Sequence, residues 1–184
     1  MQEAAAKGSI RQLLSYIGED PTRNGLQETP SRVIKSYQEL FSGYGKDPKS
    51  LFTVFDQDGY DSMVLLKDIE MYSMCEHHML PFVGKAHIAY IPSKGKVVGI
   101  SKLARLLDLY ARRLQIQERI CEEVTAALMK YLKPKGAACI IEAKHFCMCA
   151  RGVGKQHSVM TTSSLKGAFK KELTVREELM SLIK

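Results

Sequence analysis

Four consecutive residues, Cys75-Glu76-His77-His78, gather a thiol, a carboxylate and two imidazoles into one short stretch. Thiolate and imidazole are the donors that zinc favours, and a cysteine and a histidine three positions apart can face one ion from a single tight turn. One loop cannot close a tetrahedral site, so a second segment must contribute. The other cluster is His145-Phe146-Cys147-Met148-Cys149. In an extended stretch, side chains two apart share a face, which would aim His145, Cys147 and Cys149 the same way. The expectation is a zinc ion bridging the two segments, with His77 and His145 left unbound.

Two ligand sets are open. Cys75, His78 and one of Cys147 or Cys149 would give three protein ligands and a free fourth position. A water bound there falls from a pKa of about 15.7 to about 7. Cys75, His78, Cys147 and Cys149 together would instead close a structural site. Side chains at i and i+2 of a strand run nearly parallel, which strains a tetrahedron, and a structural site gives His77 and His145 nothing to do. The open, catalytic arrangement is therefore favoured, with the two free imidazoles able to pass protons near neutral pH. His87 and His157 have no such neighbour and read as structural.

These segments need a scaffold. The chain has 184 residues, 45% hydrophobic and 26% charged, enough for one globular domain with a real core. No apolar run reaches bilayer length, and Met1 to Lys7 lacks the order of a secretory signal, so a soluble cytoplasmic protein is expected. Five unevenly spaced cysteines argue against a disulfide framework, and Cys121 and Cys139, inside apolar segments, read as core. The net charge of +7 attracts polyanions without naming one.

Apolar periodicity predicts a helix over 3–17 and another from Thr29, with Thr29 as N-cap, Pro30 at the first helical position and Gly43 as the stop. Residues 44–61 read as a connector. Strands are predicted over 63–72, 84–91, 137–149 and 159–169, helices over 101–113 and 115–132, and a last helix over 172–184. This gives a helical segment over 1–60 and one compact unit over 61–184. The architecture is α+β: a four-stranded antiparallel sheet with two helices on one face. Its exposed edges call for a neighbouring subunit.

Further candidates lie on the helices. Ser101-Lys102-Leu103-Ala104-Arg105 opens one of them, with Lys102 and Arg105 on one face, a ready phosphate site though equally a solvated basic end. Arg32 lies in the first turn of the second predicted helix, a position that is usually only solvated. Glu118 in Gln117-Glu118 offers a carboxylate suited to the N1–H and amino group of a guanine.

Taken together, Cys75-Glu76-His77-His78, Gly99 to Arg105, Gln115-Ile116-Gln117-Glu118-Arg119, and His145-Phe146-Cys147-Met148 with Arg151-Gly152 resemble GTP cyclohydrolase I. Glu28 to Arg32 and the Thr/Ser run at 161–164 are also similar, and the likeness runs from about residue 17 nearly to the end. The resemblance implies zinc on Cys75, His78 and Cys147, guanine held by Glu118 with help from Gln117, and triphosphate held by Lys102, Arg105 and Arg151, with Arg32 as an addition. It implies the tunnelling fold and a homodecamer with active sites at subunit junctions. The implied reaction converts GTP to 7,8-dihydroneopterin triphosphate with release of formate. His145 would protonate N7 while a metal-activated water attacks C8, His77 would donate to the ribose oxygen, and Ser101 would assist the rearrangement.

Cys149 departs from the family pattern, and a thiol facing the zinc pocket would be free to pair with Cys75 or Cys147 once metal is lost. Two other functions compete. A related tunnelling-fold pterin or deazapurine enzyme would lack the combined Cys-Glu-His-His and His-x-Cys pair. A zinc-stapled nucleic-acid-binding protein would need a basic stripe with interleaved aromatics, whereas the Lys and Arg are scattered. Neither nucleic acid nor membrane is expected as a partner.

Overall fold

A computed structural model describes residues 2–184, which fall into two compact units, one ending at Ser42 and the other spanning Gly43–Lys184. The first unit is a pair of helices, α1 (Gln2–Tyr16) and α2 (Thr29–Leu40), packed on each other. Helix α1 buries no residue, and Leu13, Tyr16 and Ile17 lie exposed. In the loop between the helices the Asp20 carboxylate accepts from the backbone N–H and hydroxyl of Thr22. Pro30 sits in the first turn of α2, where its missing N–H costs nothing. Thr29 is already helical; Glu28 flanks it without a side-chain cap, so the expected threonine cap is not formed.

The second unit is built on a five-stranded sheet. After a short 3-10 turn (Pro48–Leu51) come β1 (Val54–Asp56), β2 (Val64–Cys75), β3 (Pro81–Ile91), β4 (Lys96–Val98), α3 (Ile100–Ala111), β5 (Leu114–Gln115) and α4 (Gln117–Ala127). A π-helical turn (Leu128–Leu132) leads to β6 (Gly136–His145), the helical turn α5 (Phe146–Cys149), β7 (Met160–Gly167), the turn α6 (Ala168–Lys171) and α7 (Leu173–Ile183). The sheet order is β5-β2-β3-β6-β7, with the four long strands antiparallel as expected. The two-residue β5 adds a parallel edge beside Met74 and Cys75, and β1 and β4 form a separate ribbon.

The alternation in β3 decides the layering. Phe82, Ala86, Ile88 and Tyr90 face α3 and α4, where they pack with Leu103, Leu106, Leu107, Ile120, Val124 and Leu128 in the main core. On the opposite face Ala89, Ala138 and Ile140 meet Phe169 and Leu179 of α6 and α7 in a smaller cluster. Cys121 and Cys139 are buried in the main core, as read from their apolar surroundings. Gly84 must be glycine: a Cβ there would stand 1.9 Å from the Glu142 carbonyl oxygen.

One expectation fails in a way that matters. The strand predicted to run to residue 149 stops at His145, and Phe146–Cys149 winds into a helical turn. The reason lies on the neighbouring strand. His145 pairs with Phe82, next to the first residue of β3, Pro81, so beyond this point β6 has no partner to keep it extended. His145, Cys147 and Cys149 therefore do not share a strand face.

Candidate active site

The loop after β2 is tight. Cys75 closes the strand opposite Gln115; its N–H donates to the Leu80 carbonyl, and its own carbonyl accepts from Met79 at 2.8 Å. Met79 adopts a positive φ of 51° to complete the reversal. This turn places Cys75 and His78 beside the helical turn after β6, where Cys147 points inward. The ligand atoms of Cys75, His78 and Cys147 all lie within 4.8 Å of one another. Cys149 is outside the group; its thiol lies 3.4 Å from the Lys155 carbonyl, so it does not face the cluster as the extended-strand geometry suggested.

The cluster suits a cation. Donors at roughly 2.1 and 2.3 Å from a tetrahedral ion are roughly 3.6 Å apart, and Cys75 Sγ lies 3.9 Å from His78 Nδ1. Burial, with the Cys75 sulfur beside it, pushes the Cys147 thiol above its ordinary value; a cation would reverse that balance by favouring thiolate. His77 sits close by, with Nδ1 3.7 Å from Cys75 Sγ, on the exposed side of the loop. Arg151 reaches the same place, its Nη1 3.1 Å from His78 Nε2. Nδ1 is the nitrogen of this ring that is turned to Cys75.

His145 is held on two sides. Its ring stacks on Phe82, centroids 4.6 Å apart and planes within 2°. Its Nε2 lies 2.8 Å from Gln117 Oε1. The amide orientation is fixed by what surrounds it. Gln117 is fully buried, and its Nε2 lies within 3.0 Å of the Ile141 and Met160 carbonyls and of Thr162 Oγ1. That atom must be the NH2 group, so Oε1 accepts and His145 Nε2 carries the proton. Burial holds the imidazole below the ordinary histidine value, opposed by the nearby Glu118 carboxylate. Phe82 joins the site without having been singled out in the sequence, since its residue type does not advertise chemistry, and Thr162 was marked only as part of the Thr/Ser run at 161–164.

Glu76 turns away from metal and toward α4. Arg119 Nη1 donates to one of its carboxylate oxygens at 2.6 Å and Nη2 to the other at 3.0 Å, and this fork holds the carboxyl below its usual range. Its distance to His77 Nε2 is 4.0 Å.

Four further candidates lie on helices α2 and α3. Ser101, Lys102 and Arg105 open α3, whose far end is fixed at the metal side by the Ser73 hydroxyl donating to the Ala111 carbonyl. That helix is twelve residues long, which puts its first and last residues about 16 Å apart at the α-helical rise. Its basic start follows the β3–β4 reversal, at the sheet end opposite Phe82 and His145. Arg32 lies exposed on α2 in the first unit. A depression of about 420 Å³, lined by Val54, Ser93, Lys94, Lys96, Tyr131, Leu132 and Lys133, does not include the cysteine–histidine cluster.

A model of the GTP cyclohydrolase I family matches residues 6–184. GTP cyclohydrolase 1 of Wolinella succinogenes is 53% identical over 184 residues, covering all of this chain and 98% of that protein. The protein of the same name from Acetivibrio thermocellus is 49% identical over 96% of this chain and 95% of its own length. Among solved structures, an archaeosine synthase QueF-Like in the apo form aligns with 58% of this chain and 94% of its own, at 18% identity and a TM-score of 0.47.

Proposed function

The chain belongs to the GTP cyclohydrolase I family, and we infer from this that it is an enzyme that converts GTP to 7,8-dihydroneopterin triphosphate with release of formate. The observation that carries the reading at the level of the site is the cluster Cys75, His78 and Cys147 lying next to an imidazole, His145, that is held in one orientation.

Zinc is the metal we propose. Two thiols and an imidazole are its preferred donors, and three ligands leave a position for water. A zinc ion at this site would supply Lewis-acid activation of water at neutral pH. The protein does the rest. Glu118, exposed in the first turn of α4, accepts the N1–H and amino group of guanine. Gln117 has no free side-chain donor for the base, so its contribution comes from the unpaired main-chain N–H groups at the helix start. With Nε2–H committed to Gln117, His145 takes up and delivers its proton at Nδ1, to guanine N7. His77, exposed beside Cys75, donates to the ribose ring oxygen, and Arg151 takes part of the triphosphate.

Lys102, Arg105 and Ser101 serve a neighbouring subunit. Ser101 and Lys102 support this from the first turn of α3, about 15 Å along the helix from Ala111, and Arg105, the sixth of its twelve residues, follows Lys102 on the same face. Strand β7 is an edge of the sheet, with Val159 and Met160 exposed, and edges of this kind are covered by another chain. The assembly we propose is the homodecamer, in the cytoplasm, with Arg32 a further phosphate contact. No helix among the described residues is long and apolar enough to cross a membrane.

Zinc-loaded protein incubated with GTP should yield formate and, after oxidation, a fluorescent pterin. Absence of both from fully loaded protein would sink the reading.

A further inference from the structure

Glu76 and Arg119 have no place in the chemistry above, yet they form the best-defined ion pair near it. The contact is fork to fork, 2.6 and 3.0 Å, between the loop that carries Cys75 and His78 and the helix turn that carries Gln117 and Glu118. The pair is also braced from below. Glu76 N–H donates to the Gln115 carbonyl at 3.0 Å, and Arg119 Nη1 lies 3.3 Å from Gln115 Oε1. The buried Gln115 amide in turn donates to Glu123 Oε2 and to the Tyr110 carbonyl.

Successive residues of an α-helix project about 100° apart, so three in a row can serve three separate neighbours. In α4 Gln117 grips His145, Glu118 faces outward for the base, and Arg119 grips the metal-binding loop. We propose that Glu76 and Arg119 are positioning residues that set the distance between the metal cluster and a purine held by α4. The proposal rests on the zinc and guanine assignments made above. An exposed ion pair adds little to stability, so its value here is geometric. A bidentate guanidinium–carboxylate contact fixes angle as well as distance, and a misplacement of about 1 Å can cost on the order of a hundredfold in rate.

The test uses Glu76→Gln, Arg119→Lys and the exchange Glu76→Arg with Arg119→Glu. Zinc affinity is read by competition with a chromophoric chelator, and steady-state kinetics with GTP are measured at saturating zinc. Each single variant should bind zinc about tenfold more weakly, as loss of a partner behind a metal site does. At saturating metal kcat should fall at least about tenfold while KM for GTP stays within about threefold, the pattern of lost alignment rather than lost binding. The exchanged pair should recover part of kcat and of zinc affinity. Wild-type behaviour of both single variants in the two assays would overturn the proposal, as would a raised KM with unchanged kcat. If wild-type protein makes no product, the functional reading fails by itself. The chelator assay then still decides the pair: weaker zinc binding in the single variants and recovery in the exchange support it, and unchanged affinity refutes it.

Discussion

The two ends of the central sheet differ in how far one chain finishes them. At the end marked by Cys75, Phe82 and His145, nearly every polar group has a partner within the chain: Gln117 spends its amide on four neighbours, Glu76 is clasped by Arg119, and three metal donors converge. At the other end Ser101 and Lys102 stand at the start of α3, with Arg105 one turn further along, and neither cation has an ion-pair partner among the described residues. The difference fits the chemistry proposed for the two ends. Proton transfer and metal binding need fixed geometry, which a chain supplies best to itself. A triphosphate needs charge, which can be lent by a neighbour.

The comparison breaks first if the metal end is not what it looks like. Replacing Cys147 with Ala should abolish stoichiometric zinc, measured by elemental analysis, and with it all turnover; retained zinc would bring Cys149 back as the ligand. The sharing of sites between chains is the next thing to break. Cys147→Ala and Arg105→Ala proteins should each be nearly inactive. Subunits dissociated and reassembled as an equal mixture should regain about a quarter of wild-type activity if each site draws on two chains. No recovery in verified mixed oligomers would place both residues in one chain's site.

A smaller effect sharpens the metal end. Gln117→Leu should keep zinc but lower kcat by about a hundredfold, the usual worth of a positioned proton donor. It should also destabilise the fold by about 1–3 kcal/mol, because the buried carbonyls of Ile141 and Met160 lose their donor.

The smallest effect concerns His87, a fully buried imidazole of the sheet. Its Nδ1 accepts from Asp68 N–H at 3.2 Å, but its Nε2 has no partner, and burial lowers its affinity for protons. Lys67, Asp68, Lys85 and Glu142 surround it with charges of both signs. The unfolded chain therefore binds a proton at this residue more readily than the folded one. Stability contributed by the neutral ring is complete above the unfolded value of about 6.5 and is lost as pH falls below it, by at most about 1.4 kcal/mol per unit. Denaturant melts at pH 7.5 and 5.5 should show this slope, and His87→Phe should flatten it.

Much of this molecule was legible from its residues. The alternation of Ala86, Ile88 and Tyr90 marked β3 and its buried face, and the periodic leucines of α3 marked its packing side. The ligand-rich tetrapeptide was legible because cysteine and histidine so close together have few other uses. What stayed hidden depended on partners distant in sequence. His145 to Cys149 alternates as a strand does, and only the start of β3 at Pro81 ends its pairing. Arg119 stood in the sequence only as the end of the Gln115–Arg119 stretch, with no role, because its partner Glu76 lies forty-three positions away. Gln117 suggested a hand on the base, whereas burial turns its side chain to His145.

The consecutive trio Gln117, Glu118 and Arg119 behaves like three teeth on one small cog. Inserting or deleting a single residue just before it would turn all three by about 100° at once. Imidazole, base and metal loop would then lose their grips together, although the core-facing residues farther along α4 could still find a register. Natural variants should therefore tolerate length changes in the loops around this helix far better than in Leu114 to Gln117, where the first tooth is set.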